Sequence, residues 1–213
     1  MPVTPIEFLT DKFPALYERG VAVLRARADA GDARAKMHLD DVVGASGTGF
    51  VTIAGQGTVW LTVGNGTMKS SAERPAGLPV RLAVELPADA AEQLLALAES
   101  KNALEDEKAA IAAARTSSKR FEDALAGRKM SCHFTVRDVP RLDDVTAKVA
   151  MNSDTLPEKP GFTGELEYDD LIALTQKKIQ PQQLMMGGKL KLKGDYSIAM
   201  QVGMQLIAQA SKR

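Results

Sequence analysis

Residues 169–195 read DDLIALTQKKIQPQQLMMGGKLKLKGD, and this run sets how the rest of the chain is read. Asp169 and Asp170 suit a helix start, because carboxylates there accept from free backbone N–H groups and oppose the positive end of the helix dipole. The helical pattern begins at Tyr168 and runs to about Lys178. Pro181 fits the first turn of a second, short helix. Gly187-Gly188 then turns the chain, and Lys189, Lys191 and Lys193 alternate with Leu190 and Leu192. One face of that strand is apolar and the other is a row of ammonium groups. Such lysines protect an edge strand from pairing with another chain. The same row suits attraction of anionic head groups.

The last helix follows at about Tyr196–Ser211, and the fifteen residues from Ser197, SIAMQVGMQLIAQAS, carry no charge. Ile198, Val202 and Leu206 fall on one line, with Met200, Met204 and Ile207 beside it. A helix with so little polar face must pack against protein, a partner or a lipid. It is shorter than the ~20 residues needed to span a bilayer. Met185, Met186, Met200 and Met204 are flexible side chains suited to irregular apolar surfaces. Core packing and lipid contact both account for them.

This C-terminal run resembles the sterol-carrier-protein (sterol-transfer) family. The matching residues are Asp170, Leu171, Leu174, Pro181-Gln182, Met185-Met186, Gly188-Lys189-Leu190-Lys191-Leu192 and Gly194, in order and without a gap. Lys177 departs from the family's usual Gly, and Met185-Met186 replace its usual aromatics. Upstream, Val59–Gly66 (VWLTVGNG) is similar to the family's middle strand and Gly turn. The family domain is then either the second half, or the first strand set completed by the C-terminal segment. The resemblance implies an α+β fold, a helix-covered sheet with an apolar tunnel, and non-covalent binding of a sterol, fatty acid or fatty acyl-coenzyme A. On that footing the expected apolar lining is Leu174, Leu184, Met185, Met186, Ile198, Met200, Val202, Met204 and Leu206.

Working outward, Thr4-Pro5-Ile6-Glu7 reads as a capping box with proline at the first helical position. Pro14 interrupts or restarts that helix. Phe13, Leu16, Tyr17, Val21 and Leu24 then recur at helical spacing as far as Gly31-Asp32. The period switches to two: Met37 and Leu39, then Val51 and Ile53, then Val59, Leu61 and Val63. Gly64-Asn65-Gly66 turns into Met68 and Ser70, and Val80–Leu86 alternates cleanly. About five short strands predict an antiparallel meander. From Pro87 to about Gly127 the pattern is helical, with Leu94, Leu97, Leu104 and Ile111 on a narrow stripe and a break at Thr116-Ser117-Ser118. A second, shorter meander follows at His133–Val136, Val145–Val149 and Phe162–Leu166, with a loop at Asn152–Gly161.

The two halves echo each other. Glu85–Leu97 parallels Glu165–Leu174, and Lys36-Met37 parallels Lys129-Met130. Internal duplication accounts for this, as does the patterning shared by any two amphipathic α+β segments. We divide the chain into residues 1–100 and 101–213, each dependent on the other for a complete core.

Composition narrows the function by exclusion. With 27 basic and 27 acidic residues the net charge is zero, unlike a nucleic-acid binder. Cys132 is the only cysteine, so the chain has no internal disulfide, and it suits a reducing, cytoplasmic setting. One Cys and two His, His38 and His133, argue against a zinc site, and no cofactor is expected. Cys132 and His133 are neighbours on a strand and face opposite ways, so they form no nucleophile pair. There is no Gly-x-Ser-x-Gly elbow or phosphate loop. The N-terminus lacks a signal-peptide pattern, and Ser211-Lys212-Arg213 reads as a basic helix end. The expectation is a non-enzymatic lipid binder of the sterol-carrier type with an apolar small molecule as partner. Transient membrane contact is compatible with it, and the oligomeric state is open. The alternative is an interaction module that uses the same apolar surfaces for self-association or a protein partner.

Overall fold

A computed structural model describes residues 3–211 apart from 101, 103, 126 and 177, and excludes the side chains of 181 and 206–211. The departure at Lys177, the side chain of Leu206 and the basic end at Lys212-Arg213 therefore lie outside the described residues. Helix α1 (Pro5–Glu7) leads through a π-helical turn, Phe8–Lys12, into α2 (Phe13–Asp29) and α3 (Ala33–Gly44). Strands β1 (Gly47–Ile53), β2 (Gly57–Gly64), β3 (Thr67–Ser71) and β4 (Val80–Leu86) follow. Helices α4 (Ala88–Ser100), α5 (Glu107–Ala114) and α6 (Lys119–Leu125) separate them from β5 (Met130–Val139), β6 (Asp143–Met151) and β7 (Phe162–Glu167). The chain ends with α7 (Tyr168–Thr175), α8 (Pro181–Met186), β8 (Lys191–Gly194) and α9 (Ser197–Ser211).

The capping box forms as read: Thr4 Oγ1 accepts from the Glu7 N–H at 3.2 Å, and Glu7 accepts from the Thr4 N–H at 2.9 Å. Pro14, which has no N–H to give, sits in the first turn of α2 directly after the π-helical turn. Met37–Asp40 is helix rather than strand. Four residues of alternating polarity fit both periods, and Asp32 decides the matter by accepting from the Arg34 and Ala35 N–H groups at 2.9 and 3.0 Å. Ala35, His38 and Val42 are then buried at helical spacing. The Pro87–Gly127 stretch holds three helices, with a second break capped by Asp106. In α4 the expected stripe is not the buried face, since Leu94 is 59% and Leu97 40% exposed while Ala90, Ala91 and Leu95 are buried; Ile111 of α5 does pack against the core. At α7 the cap position belongs to Glu167, and Asp170 instead accepts from Lys189 Nζ at 2.6 Å.

Instead of two meanders there is one eight-stranded sheet in the order β3-β2-β1-β4-β6-β5-β7-β8. β4 lies parallel to β1 and β7 parallel to β5, so each set returns across its first strand. The pairing pattern recurs: β1 has antiparallel β2 and parallel β4 as neighbours, and β5 has antiparallel β6 and parallel β7. Glu85–Leu97 and Glu165–Leu174 thus occupy equivalent strand-to-helix junctions. Lys36-Met37 lies inside α3 while Lys129-Met130 opens β5, so that second echo has no structural counterpart.

A helical layer covers one face of β1–β4. Tyr17, Val21 and Leu24 of α2, Ala35 and Val42 of α3, Met68 of β3 and Ala114 of α5 form one buried cluster. The α2–α5 crossing is at backbone distance: a Cβ at Gly20 would lie 2.0 Å from the Ala110 carbonyl oxygen. Two consequences can be measured. Gly20→Val is expected to lower stability by at least about 1–3 kcal/mol in chemical denaturation, because the helices cannot separate without opening this cluster. Because α5 lies beyond residue 100, residues 1–100 and 101–213 expressed separately are expected to show no cooperative unfolding transition by circular dichroism. A native-like transition in either fragment would show that the halves fold independently.

Candidate ligand cavity

Between the helical layer and the sheet lies a cavity of about 1380 Å³, partly open to solvent. That exceeds the roughly 300–1,000 Å³ typical of small-molecule sites. Its floor is one face of β1–β4. Gly49 stands opposite both Leu61 of β2 and Leu82 of β4 and so leaves the floor between them bare. Val51, Val63, Met68, Val84 and Leu86 continue the apolar surface, and Met151 of β6 extends it beside Leu82. Leu9 of the π-helical turn and Phe13 of α2 close one side, and Phe121 and Leu125 of α6 add to the wall.

The remaining wall is polar: Arg34, His38 and Asp41 of α3, residues Arg115–Ser118 after α5, Arg120 and Glu122 of α6, and Arg81 of β4. Asp41 organises it. Its carboxylate accepts from Ser118 Oγ at 2.9 Å, from the Arg120 N–H at 2.8 Å and from Arg120 Nη2 at 2.9 Å. Burial works to raise its pKa, but the Arg120 and Ser118 hydrogen bonds outweigh burial and hold it below the usual carboxylate range. Burial pushes Glu122 up, against the hydrogen bond it accepts from the Ser46 N–H at 3.0 Å. His38 is buried, and burial together with the positive charges of Arg115, Arg120 and Arg34 depresses its pKa, which favours the neutral ring. The Tyr17 hydroxyl meets Ser117 Oγ at 2.6 Å, so α2 is tied to the same segment.

None of the eight expected lining residues whose side chains are described lies on this wall, and Leu206 falls outside them. Leu184 and Val202 are buried elsewhere, and Val202 packs with Ala124, Leu125 and Ile198. Ile198 also borders a separate, small cavity of about 290 Å³. Leu174 and Met185 are half-buried. Met186 is 90%, Met204 59% and Met200 37% exposed. Cys132 and His133 form no pair: His133 Nε2 lies 3.3 Å from the Pro157 carbonyl, and burial pushes the Cys132 thiol up. Among the described residues no group of His, Cys, Asp and Glu could hold a metal, and no helix is long and apolar enough to cross a membrane. The signal that could have found the cavity was present in Gly47-Thr48-Gly49, a β1 segment short of side chains beneath large neighbours.

A helix-covered sheet with an open space over an apolar floor defines the class: an α+β protein with a cavity between its layers. The chain belongs to the SCP-2 sterol transfer family, a family of lipid-binding and transfer domains, whose pattern matches residues 97–206, just over half of its length. It is similar to the sterol carrier protein domain 2 of Helicoverpa armigera, at 26% identity and a TM-score of 0.32, over 43% of this chain and 76% of that one. Sterol Carrier Protein 2 of Yarrowia lipolytica, in its apo form, gives 19% identity and 0.30, over 38% and 75%. A stereoselective inverting sec-alkylsulfatase of Pseudomonas sp. gives 20% and 0.27, over 39% of this chain and 14% of that one. No curated protein matches the sequence. At these TM-scores the assignment rests on the family match alone. The matched span supplies Arg115–Ser118, α6 and Met151 to the cavity, while α3 and β1–β4 lie before it.

Asp41→Asn should loosen the polar end, at a cost of about 1–3 kcal/mol at neutral pH for the charged hydrogen bonds lost. Because folding lowers this carboxyl's pKa, its contribution is present above the unfolded value of about 3.9 and fades as pH falls through the folded one. The gap between wild type and variant in urea melts is therefore expected to close on acidification. A gap constant with pH would show that Asp41 contributes through packing alone.

Proposed function

We propose that this protein binds and carries a chain-bearing lipid, a sterol, fatty acid or fatty acyl-coenzyme A, in the cavity beneath its N-terminal helices, without changing it covalently. The observation that carries this reading is an apolar floor under a space of about 1380 Å³. Each methylene moved from water onto such a floor contributes about 0.8 kcal/mol. The recurrence of the β1–β4 pairing in β5–β7 supports taking the halves as two related sterol-carrier-like units that share one sheet, with the first supplying the ligand site. The single cysteine suits a cytosolic setting.

Displacement of a fluorescent fatty acid tests the reading. Long-chain lipids are expected to compete at micromolar levels or below and to be recovered unchanged by mass spectrometry. Failure of every chain to compete would overturn the carrier, and ligand turnover would overturn its non-enzymatic character. Val63→Trp, which fills the floor, should weaken binding roughly tenfold or more, since the side chain takes the space of several methylenes. Met186→Gln and Met204→Gln should leave binding unchanged. The opposite pattern would return the site to the C-terminal residues.

The exposure of Met186, Met200 and Met204 favours a second reading, an interaction module that uses this surface for self-association or a protein partner. Sedimentation of the full chain decides it: a self-associated state abolished by changing the three methionines to Gln supports the module, and a monomer across concentrations counts against self-association.

A further inference from the structure

Pro5 and Tyr17 are both buried, and no residue between them is. In that interval Leu9 and Phe13 line the cavity, while Thr10, Asp11 and Lys12 are exposed. One turn of chain therefore stands between the apolar end of the cavity and solvent. That turn is π-helical, a rare geometry that recurs at functional sites. Few bonds hold it down. The Phe13 N–H donates to the Phe8 carbonyl, and the rings of the same two residues pack 5.9 Å apart. Pro14 has no N–H to offer the Thr10 carbonyl four residues back, and that carbonyl accepts instead from Ser70 Oγ of edge strand β3 at 2.7 Å. The rest of α2 is clamped: Tyr17 meets Ser117 at 2.6 Å, and Gly20 lies against the α5 backbone.

We propose that the strap Phe8–Phe13 is the gate of the cavity, latched by the Ser70–Thr10 hydrogen bond, and that the ligand enters and leaves beneath Leu9 and Phe13; this rests on the carrier reading above. Pro14 is the hinge, because the helical ladder already lacks a bond there. Opening breaks the latch and turns Leu9 and Phe13 toward water, and the cost of wetting those two side chains closes the strap again. A bound chain gives them an apolar surface to lie on, so the strap closes over it in the same way. The opposite wall is a poor route for an apolar molecule. Asp41 ties α3 to α6 there through three hydrogen bonds, and a chain sliding past would strip water from charged groups without replacing it.

The test follows an anthroyloxy-labelled octadecanoate onto and off the full chain by stopped-flow fluorescence. Ser70→Ala removes the latch in the free and the loaded protein alike. It is expected to raise the association and dissociation rates together by about three- to tenfold, the factor that one hydrogen bond carries, and to keep Kd within about twofold of wild type. Ser71→Ala is the control: its hydroxyl donates to the Glu73 carbonyl and not to the strap, so both rates should stay as they are. In the protein without probe, amide hydrogen exchange at Leu9–Phe13 should outpace that at Tyr17–Leu24 and should quicken further in Ser70→Ala. Wild-type rates in Ser70→Ala, or equal acceleration in Ser71→Ala, would overturn the gate and leave the carrier reading intact. Protection at Leu9–Phe13 equal to that at Tyr17–Leu24 would overturn it as well. If the wild type binds no probe, the carrier reading fails and the gate falls with it.

Discussion

The antiparallel seam between β4 and β6 is the interaction on which the rest depends. It pairs Leu82 with Met151, Ala83 with Ala150, Val84 with Val149 and Glu85 with Lys148. The Lys148–Glu85 ion pair on it, at 2.6 Å, is half-exposed and contributes at most about 1 kcal/mol. The ladder itself does the joining. Without it each half would show a bare strand edge, which invites pairing with other chains. β6 stands beside β4 as β8 stands beside β7, so the second strand set completes the first while keeping its own closing strand. The free edges are then β3 and β8, and β8 carries Lys191 and Lys193. The seam also sets Met151 beside Leu82, so the cavity floor is continuous across the junction.

The helical layer rests on the sheet at Met68, Leu61 and Val63, and its helices also brace one another. At Gly20 the backbones of α2 and α5 meet directly, with no side chain between them. Asp41 ties α3 to the start of α6 through three hydrogen bonds, and Tyr17 ties α2 to Ser117. A layer held partly by its own contacts need not close down on the sheet along its whole length to bury its apolar residues. The polar wall of the cavity is therefore a structural joint.

Much of this was legible in the sequence, and the failures have physical causes. The C-terminal run gave the order α7, α8, β8, α9 because Pro181, Gly187-Gly188 and the alternating lysines each act through local backbone chemistry. The Gly64-Asn65-Gly66 hairpin was legible for the same reason, with Asn65 and Gly66 both at positive φ. Met37–Asp40 was misread because four residues cannot separate a period of two from 3.6 when the cap that decides lies five residues upstream. The parallel placement of β4 and β7 left no local trace, since a strand's residues do not record the direction of its neighbour. The expected lining lies where apolar residues are densest and uncharged, and the cavity of about 1380 Å³ lies over β1–β4 instead. Density of apolar residues marks a filled core as readily as a cavity: Val202 and Leu184 are buried among neighbours, while the open space lies over glycines.

The same four strands make one hollow face and one solid face, and the alternation of β1 shows why. Phe50 points to the far side, where its ring packs 4.8 Å from that of Trp60 and against Val80, Ala83 and Ala150. Leu156 from the Asn152–Gly161 loop packs against that cluster. Gly49, next to Phe50 and on the near side, offers nothing to fill the space under the helices. A poorly packed protein would be loose on both faces. Here the aromatic residues of β1 and β2, Phe50 and Trp60, lie on the far side and Gly49 is placed toward the cavity. Adding even a methyl group at Gly49 would drive a Cβ to 2.8 Å from the Leu82 carbonyl oxygen of β4. The residue that leaves the floor bare is thus also the one that lets β1 and β4 lie close enough to pair, so the hollow and the sheet beneath it have a common origin.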